Sequence, residues 1–241
     1  MPPLRRSVRA RLAFALLTLA ACALFVRAGW WQWQRGTERE QVWQRFALGA
    51  QQAVPLGTGA LASLPLYERV SVSGELDGAH QFLLDNRSYQ GHPGYEVLTP
   101  LTRAGATTLL VDRGWVPFTG SRAQLPQVSL PPAATATLTG RLAPLPSAGL
   151  AFGHAAPGAE WPKVTAYPSM AELAAALGRP LEPRILLLDP GVPHGYVRDW
   201  QPPGMSPLRH FSYAIQWWSF AALALLVWAV MVFRGRRGAD T

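Results

Sequence analysis

The 241-residue sequence has one cysteine, Cys22, and one lysine, Lys163. A lone cysteine rules out an intrachain disulfide, a Cys-x-x-Cys redox pair and a cysteine-rich zinc site. A Cu(I) site, which favours sulfur, has little to draw on, because Met170, Met205 and Met231 do not cluster. No GxSxG elbow, P-loop, HExxH or GxGxxG stretch occurs, so the usual marks of nucleophilic, phosphate, zinc and dinucleotide chemistry are missing. Net charge is +8, yet the arginines cluster only at the two tails. The middle of the chain offers no basic groove, which excludes a nucleic-acid partner.

What the chain has is two long apolar runs. Residues 12–26 follow "MPPLRRSVRAR", and residues 211–233 precede "RGRR". Crossing a bilayer takes roughly 20 apolar residues, which the second run supplies alone. The first reaches that length with residues 28–31, ending in tryptophans suited to an interface. Its basic start also resembles a secretory signal, and "LAAC" at 19–22 a lipoprotein box. The apolar run continues through Cys22 to Val26, however, which favours an uncleaved span. Arg5, Arg6, Arg9 and Arg11 before the first span, and Arg234, Arg236 and Arg237 after the second, place both tails in the cytoplasm. Arg27, Arg35, Arg39 and Arg45 weigh against this orientation. The expected layout is a cytoplasmic tail 1–11, transmembrane helix 12–31, periplasmic domain 32–209, transmembrane helix 210–233 and cytoplasmic tail 234–241, in a bacterial inner membrane.

Between the runs the period shortens. "VSVSGEL" and "ATATLTGRL" alternate apolar and polar residues, as half-buried strands do. "QFLLD", "YEVLTPL", "TTLLVD" and "RILLLD" are further strands, each bounded by Gly, Pro or Asn. One helix is expected in "SMAELAAALG", where Ser169 and Glu172 form a capping box and Gly178 ends it. Residues 30–46 read as a helical extension of the first span, with Gly36 a candidate break. Residues 117–134 and 143–162, rich in Pro and Gly, read as surface loops, with His154 solvated in the second. The expected class is a membrane protein with two transmembrane helices flanking a mainly β (α+β) domain, a small barrel or sandwich.

Asp85, Asp112 and Asp189 each close an apolar strand. Turn chemistry explains them; an acid–base set would require the strands to meet. Arg87 and Arg113 are candidates for anion or partner contact. At the second span His210, Tyr213, Ala214 and Trp217 fall on one helical face. Aromatic and basic belts anchor span ends, which accounts for the tryptophans. An ionisable residue there also marks a candidate site, and imidazole is a common axial ligand of haem iron. Arg209 would suit a propionate.

"GWWQWQR", "LDNRSYQGHPGYEVLTPL", "LLVDRGWVP" and "RHFSYAIQWWSFA" occur in this order and spacing. In these the chain resembles the surfeit-locus family of cytochrome c oxidase assembly proteins, from Gly29 through nearly its whole length. The resemblance implies a non-enzymatic, membrane-anchored assembly factor that helps haem a reach the oxidase catalytic subunit, with haem a synthase as a further partner. It matches His210 to the family's histidine, and it makes Tyr213, Trp217, Arg209 and Trp31 the candidate surroundings of the haem. Trp30 and Gln34 would lie at the same depth. It also matches Arg113, Gly114 and Trp115 to the family's RGW stretch and Gly94 and Tyr95 to its glycine–tyrosine pair, all read as fold-maintaining. Phe211 and Arg39 depart from the family's usual leucine and lysine while keeping apolar character and charge. Two alternatives remain: a tethered scaffold that binds the oxidase without haem, and a periplasmic acid–base enzyme.

Overall fold

A computed structural model describes residues 8–48, 52–57, 61–131, 135–146, 155–202 and 204–237. His154 and the arginines at 5 and 6 lie outside them. The chain forms two units, one comprising residues 1–44 and 202–241, the other residues 45–201.

The first unit is a helix pair. Helix α1 runs from Val8 to Leu48 and α3 from Pro207 to Arg237. Both are long and apolar enough to cross a membrane. Gly36 does not break α1, because its missing side chain is filled by a neighbour. A Cβ on Gly36 would lie 2.5 Å from Phe211 Cε1 of α3, and one on Gly29 would run into the Trp218 indole. The two glycines sit seven residues apart on one stripe, and each accepts an aromatic ring from the partner helix. Small residues of this kind let helices approach closely in lipid, where no hydrophobic effect drives pairing. Gly29→Leu is expected to force the Trp218 ring out and lower the thermal stability of the detergent-solubilised chain, followed by circular dichroism. Overpacking typically costs about 1–3 kcal/mol.

The second unit is mainly β. Among the described residues, eight strands form one sheet: β1 (Val54–Pro55), β2 (Arg69–Leu76), β3 (Phe82–Tyr89), β4 (His92–Thr102), β5 (Thr108–Pro117), β6 (Thr135–Ala143), β7 (Lys163–Thr165) and β8 (Leu181–Leu188). Five of them close on themselves. In the order β2-β6-β8-β5-β4, the ring is completed where β2 meets β4 through Glu75 opposite Thr102 and Leu76 opposite Leu101. The result is a small barrel, with β3 and β7 continuing outward from β4 and β1 from β2. All ring pairings are antiparallel except β5 with β8.

Val70, Val72, Leu101, Leu109, Val111, Leu138, Leu142 and Leu186 form one apolar cluster. Their positions follow the alternation legible in β2 and β6. A second cluster joins Leu83, Tyr95, Val97, Val116 and Val128. Helix α2, Met170–Leu177, carries the expected capping box and C-terminal Gly178, and it buries Leu173. Between Glu96 and Leu98 the register of β4 on β5 slips by one residue. Gly114 absorbs the extra residue with φ 109°, and an added Cβ would sit 2.5 Å from Val197 O. This accounts for a glycine after Arg113.

Candidate functional site

The face expected to carry the site is largely the seam between α1 and α3. On α1, residues 18, 22, 25, 29, 32 and 36 are buried or half-buried, and on α3 so are 207, 210, 214, 217 and 221. Both sets step by three and four, the spacing of a coiled-coil seam. Contacts pair early residues of α1 with late residues of α3, so the helices are antiparallel. Cys22 Sγ lies 3.6 Å from Ala221 O, Phe25 stacks on Trp217 at 5.7 Å, and Trp33 meets Phe211 at 4.8 Å.

Within this apolar seam sits one polar pair. The Nδ1 of His210 lies 2.8 Å from Oε1 of Gln32. An amide oxygen only accepts, so the tautomer that makes this contact a hydrogen bond has its proton on Nδ1 and its lone pair on Nε2. Gln32, rather than the expected Gln34, is the α1 side chain that reaches the histidine. The sequence reading missed Gln32; the three-and-four stripe running through Cys22, Gly29 and Gly36 is the signal that could have found it.

The other expected neighbours divide. Tyr213 is 44% exposed and Arg209 is exposed, both within a turn of His210. Trp31 is exposed and lies under the Arg35 guanidinium at 5.9 Å. Trp217 is committed to packing, stacked on Phe25 and edge-on to Phe220 at 5.9 Å. Ala214 is fully buried in the seam.

In the β unit Arg113, the candidate for anion or partner contact, is a buried side chain held by hydrogen bonds within the fold. Its side chain is 2% exposed and every nitrogen is engaged. Nε donates to His194 O at 2.6 Å, Nη1 to Gln81 Oε1 at 2.8 Å and Val128 O at 3.1 Å, and Nη2 to the Tyr196 hydroxyl at 3.3 Å. The guanidinium also lies over the Tyr196 ring at 4.8 Å. Burial lowers its pKa, an effect opposed by Tyr196.

Arg87 is half-buried. Its Nε lies 3.1 Å from Glu96 Oε2, and its guanidinium packs over Tyr167 at 5.4 Å. Glu96 shares a face of β4 and β5 with Asp112. Oδ1 of Asp112 accepts from the Gly114 N–H at 3.0 Å, but at the bulge inside β5 rather than at the strand end expected for a turn. Its Oδ2 is buried without a hydrogen-bond partner. Burial raises the Asp112 pKa well above the carboxylate range, and the neighbouring Glu96 adds to it. Glu96 is raised in the same way, against the pull of Arg87. Of the three aspartates expected at strand ends, Asp85 and Asp112 lie within β3 and β5 and only Asp189 follows its strand, and the other two keep company apart from Asp112. Asp85 pairs with Arg122 at 2.9 Å, and Asp189 pairs with Arg69 at 2.7 Å.

A family model described as the SURF1 family matches residues 19–222, a stretch that contains the barrel, His210 and the helix seam from Cys22 to Ala221. The chain belongs to the SURF1 family. This family is known in general for cytochrome oxidase assembly rather than for catalysis. Relatives include uncharacterized SURF1-like proteins of Mycobacterium bovis and of two strains of Mycobacterium tuberculosis, each 34% identical over 140 residues. That match covers 54% of this chain and 51% of each relative, so the chain spans about half the length of the curated relatives it matches.

Proposed function

We propose that this SURF1-family chain is a membrane-anchored assembly factor for haem–copper cytochrome c oxidase that holds haem a in transit through His210. Its partners in this reading are the oxidase catalytic subunit, which receives the haem, and haem a synthase. The observation that carries the reading is the 2.8 Å approach of His210 Nδ1 to Gln32 Oε1, a geometry that leaves Nε2 for a metal. Among the described residues no three His, Cys, Asp or Glu side chains gather to hold a bare ion. Haem iron brings its own equatorial nitrogens, so a single imidazole suffices. The exposed Arg209 suits a propionate, and Tyr213 offers an open aromatic ring beside it.

Both helices belong in the bilayer on this reading. Leu16, Leu17 and Leu24 of α1 and Leu223 and Leu226 of α3 are all more than half exposed, as lipid-facing side chains are. The flanking Arg9, Arg11 and Arg234 then lie in the cytoplasm and the barrel in the periplasm.

The test is an optical and pyridine-haemochrome spectrum of the full chain, purified in detergent from cells that make haem a. Wild type is expected to carry haem a, and His210→Ala to lose it or shift its bands. Equal haem and identical spectra in the two proteins would remove the ligand role. A wild type without haem would leave the scaffold reading, in which the chain binds the oxidase subunit alone.

A further inference from the structure

The seam gives His210 a partner of a particular chemical type. Gln32 offers a neutral amide oxygen at 2.8 Å, from the helix that packs against the histidine's own. Metal-ligating histidines commonly donate their second N–H to a carboxylate, which makes the imidazole more basic and the metal bond stronger. A neutral acceptor fixes the tautomer and the ring plane with much less gain in basicity. A protein that must pass its metal on has use for that combination: an aimed ligand that lets go.

We propose that Gln32 is the positioning residue of the His210 site, setting the Nδ1–H tautomer while keeping the imidazole a weakly donating, releasable haem ligand. This rests on the reading of His210 as the haem-holding residue. The supporting geometry lies in the helix pair itself. Residues 22, 25, 29, 32 and 36 of α1 meet α3 along one stripe, and Gln32 is the polar member of that stripe. Close approach at Gly29 and Gly36 brackets it on either side and fixes its height against His210. Its amide therefore has little freedom to leave the ring.

Two measurements separate this proposal from the reading beneath it. The first needs no haem: nitrogen-15 spectra of histidine-labelled full chain in detergent, above the histidine titration range, with the His210 signals assigned from His210→Ala. Wild type is expected to show a protonated Nδ1 and a bare Nε2. Gln32→Leu should give a mixture of tautomers, and Gln32→Glu, which retains the acceptor, should restore the wild-type pattern. A His210 tautomer indifferent to Gln32→Leu would overturn the proposal, as would a wild-type ring protonated on Nε2.

The second measurement is haem a affinity and the rate of its transfer to apomyoglobin. Gln32→Leu is expected to weaken affinity by about 10- to 100-fold, the usual cost of losing such a partner. Gln32→Glu is expected to bind haem at least as tightly and to release it about tenfold more slowly. Release from Gln32→Glu as fast as from wild type would overturn the releasable-ligand half. A wild type that fails to bind haem a, yet shows the expected tautomers, would sink the haem-carrying function while leaving Gln32 as the group that orients the ring.

Discussion

Replacing Arg113 with methionine is expected to destabilise the β unit by about 1–3 kcal/mol, read as a loss of thermal stability of the full chain. The sign is not obvious in advance. A buried guanidinium pays a heavy desolvation cost, and an apolar residue of similar length removes that cost. The partners left behind decide the outcome. Gln81 Oε1 keeps a donor in Thr99 at 3.0 Å, and Val128 O keeps one in Gln81 at 2.9 Å. His194 O and the Tyr196 hydroxyl, which accept from Arg113 Nε at 2.6 Å and Nη2 at 3.3 Å, lose that partner in a part-buried place. Leaving a buried polar group unmatched costs about 1–3 kcal/mol. The cation over Tyr196 is lost as well. Arg113 also joins the residue before β3, strand β4, the 118–131 loop and the 194–196 segment, so the damage should spread through all of them. A methionine variant as stable as wild type would refute this assignment.

The stability of the chain should fall as pH rises above the ordinary carboxylate range, and Asp112→Asn should flatten that fall. A carboxyl whose pKa is raised on folding binds its proton more tightly in the folded state. Its contribution is fully present below the unfolded value, about 3.9 for Asp, and is lost as pH rises through the folded value. Asp112 is raised by burial and then by Glu96, with the Gly114 N–H and Arg87 pulling the other way. Glu96 is raised by burial and relieved by Arg87, so the two carboxyls titrate as a pair. Each pKa unit of elevation corresponds to about 1.4 kcal/mol. Asparagine keeps the acceptor for the Gly114 N–H and never ionises. The variant should therefore be the more stable protein on the alkaline side, with Glu96 left as the raised carboxyl of the pair. A wild-type profile that rises between mildly acid and mildly alkaline pH would contradict this.

The sequence carried much of this architecture wherever the information was local. The alternation in "VSVSGEL" and "ATATLTGRL" marked β2 and β6, and the Ser169–Glu172 box marked α2, because each depends only on neighbours along the chain. Strands β1 and β7, with two and three residues, are too short for any period to register. The closure of β2 on β4 and the parallel pairing of β5 with β8 join distant segments, and no local pattern announces them. At the site, His210 stood out as an ionisable group beside an apolar run, whereas Gln32 lay unremarked between tryptophans until a second helix supplied its partner. Arg87 and Arg113 look alike in sequence, since both follow an apolar stretch and an acid or amide. Only burial separates them, and burial belongs to the assembled sheet. Asp112 shows the same limit within one side chain, for one oxygen bonds the Gly114 N–H at a bulge inside β5 while the other is buried without a partner.

The parallel pairing of β5 has a consequence for the order in which the domain is made. Strand β8 lies between β5 and β6 and bonds to both. As the chain emerges from the ribosome or the translocon, β2, β4, β5 and β6 arrive first, and β5 and β6 each keep one unpaired edge until residues 181–188 follow. Such edges invite pairing with other chains. The nascent domain therefore passes through its most adhesive state just before completion. A chain truncated short of Leu181 is left in that state.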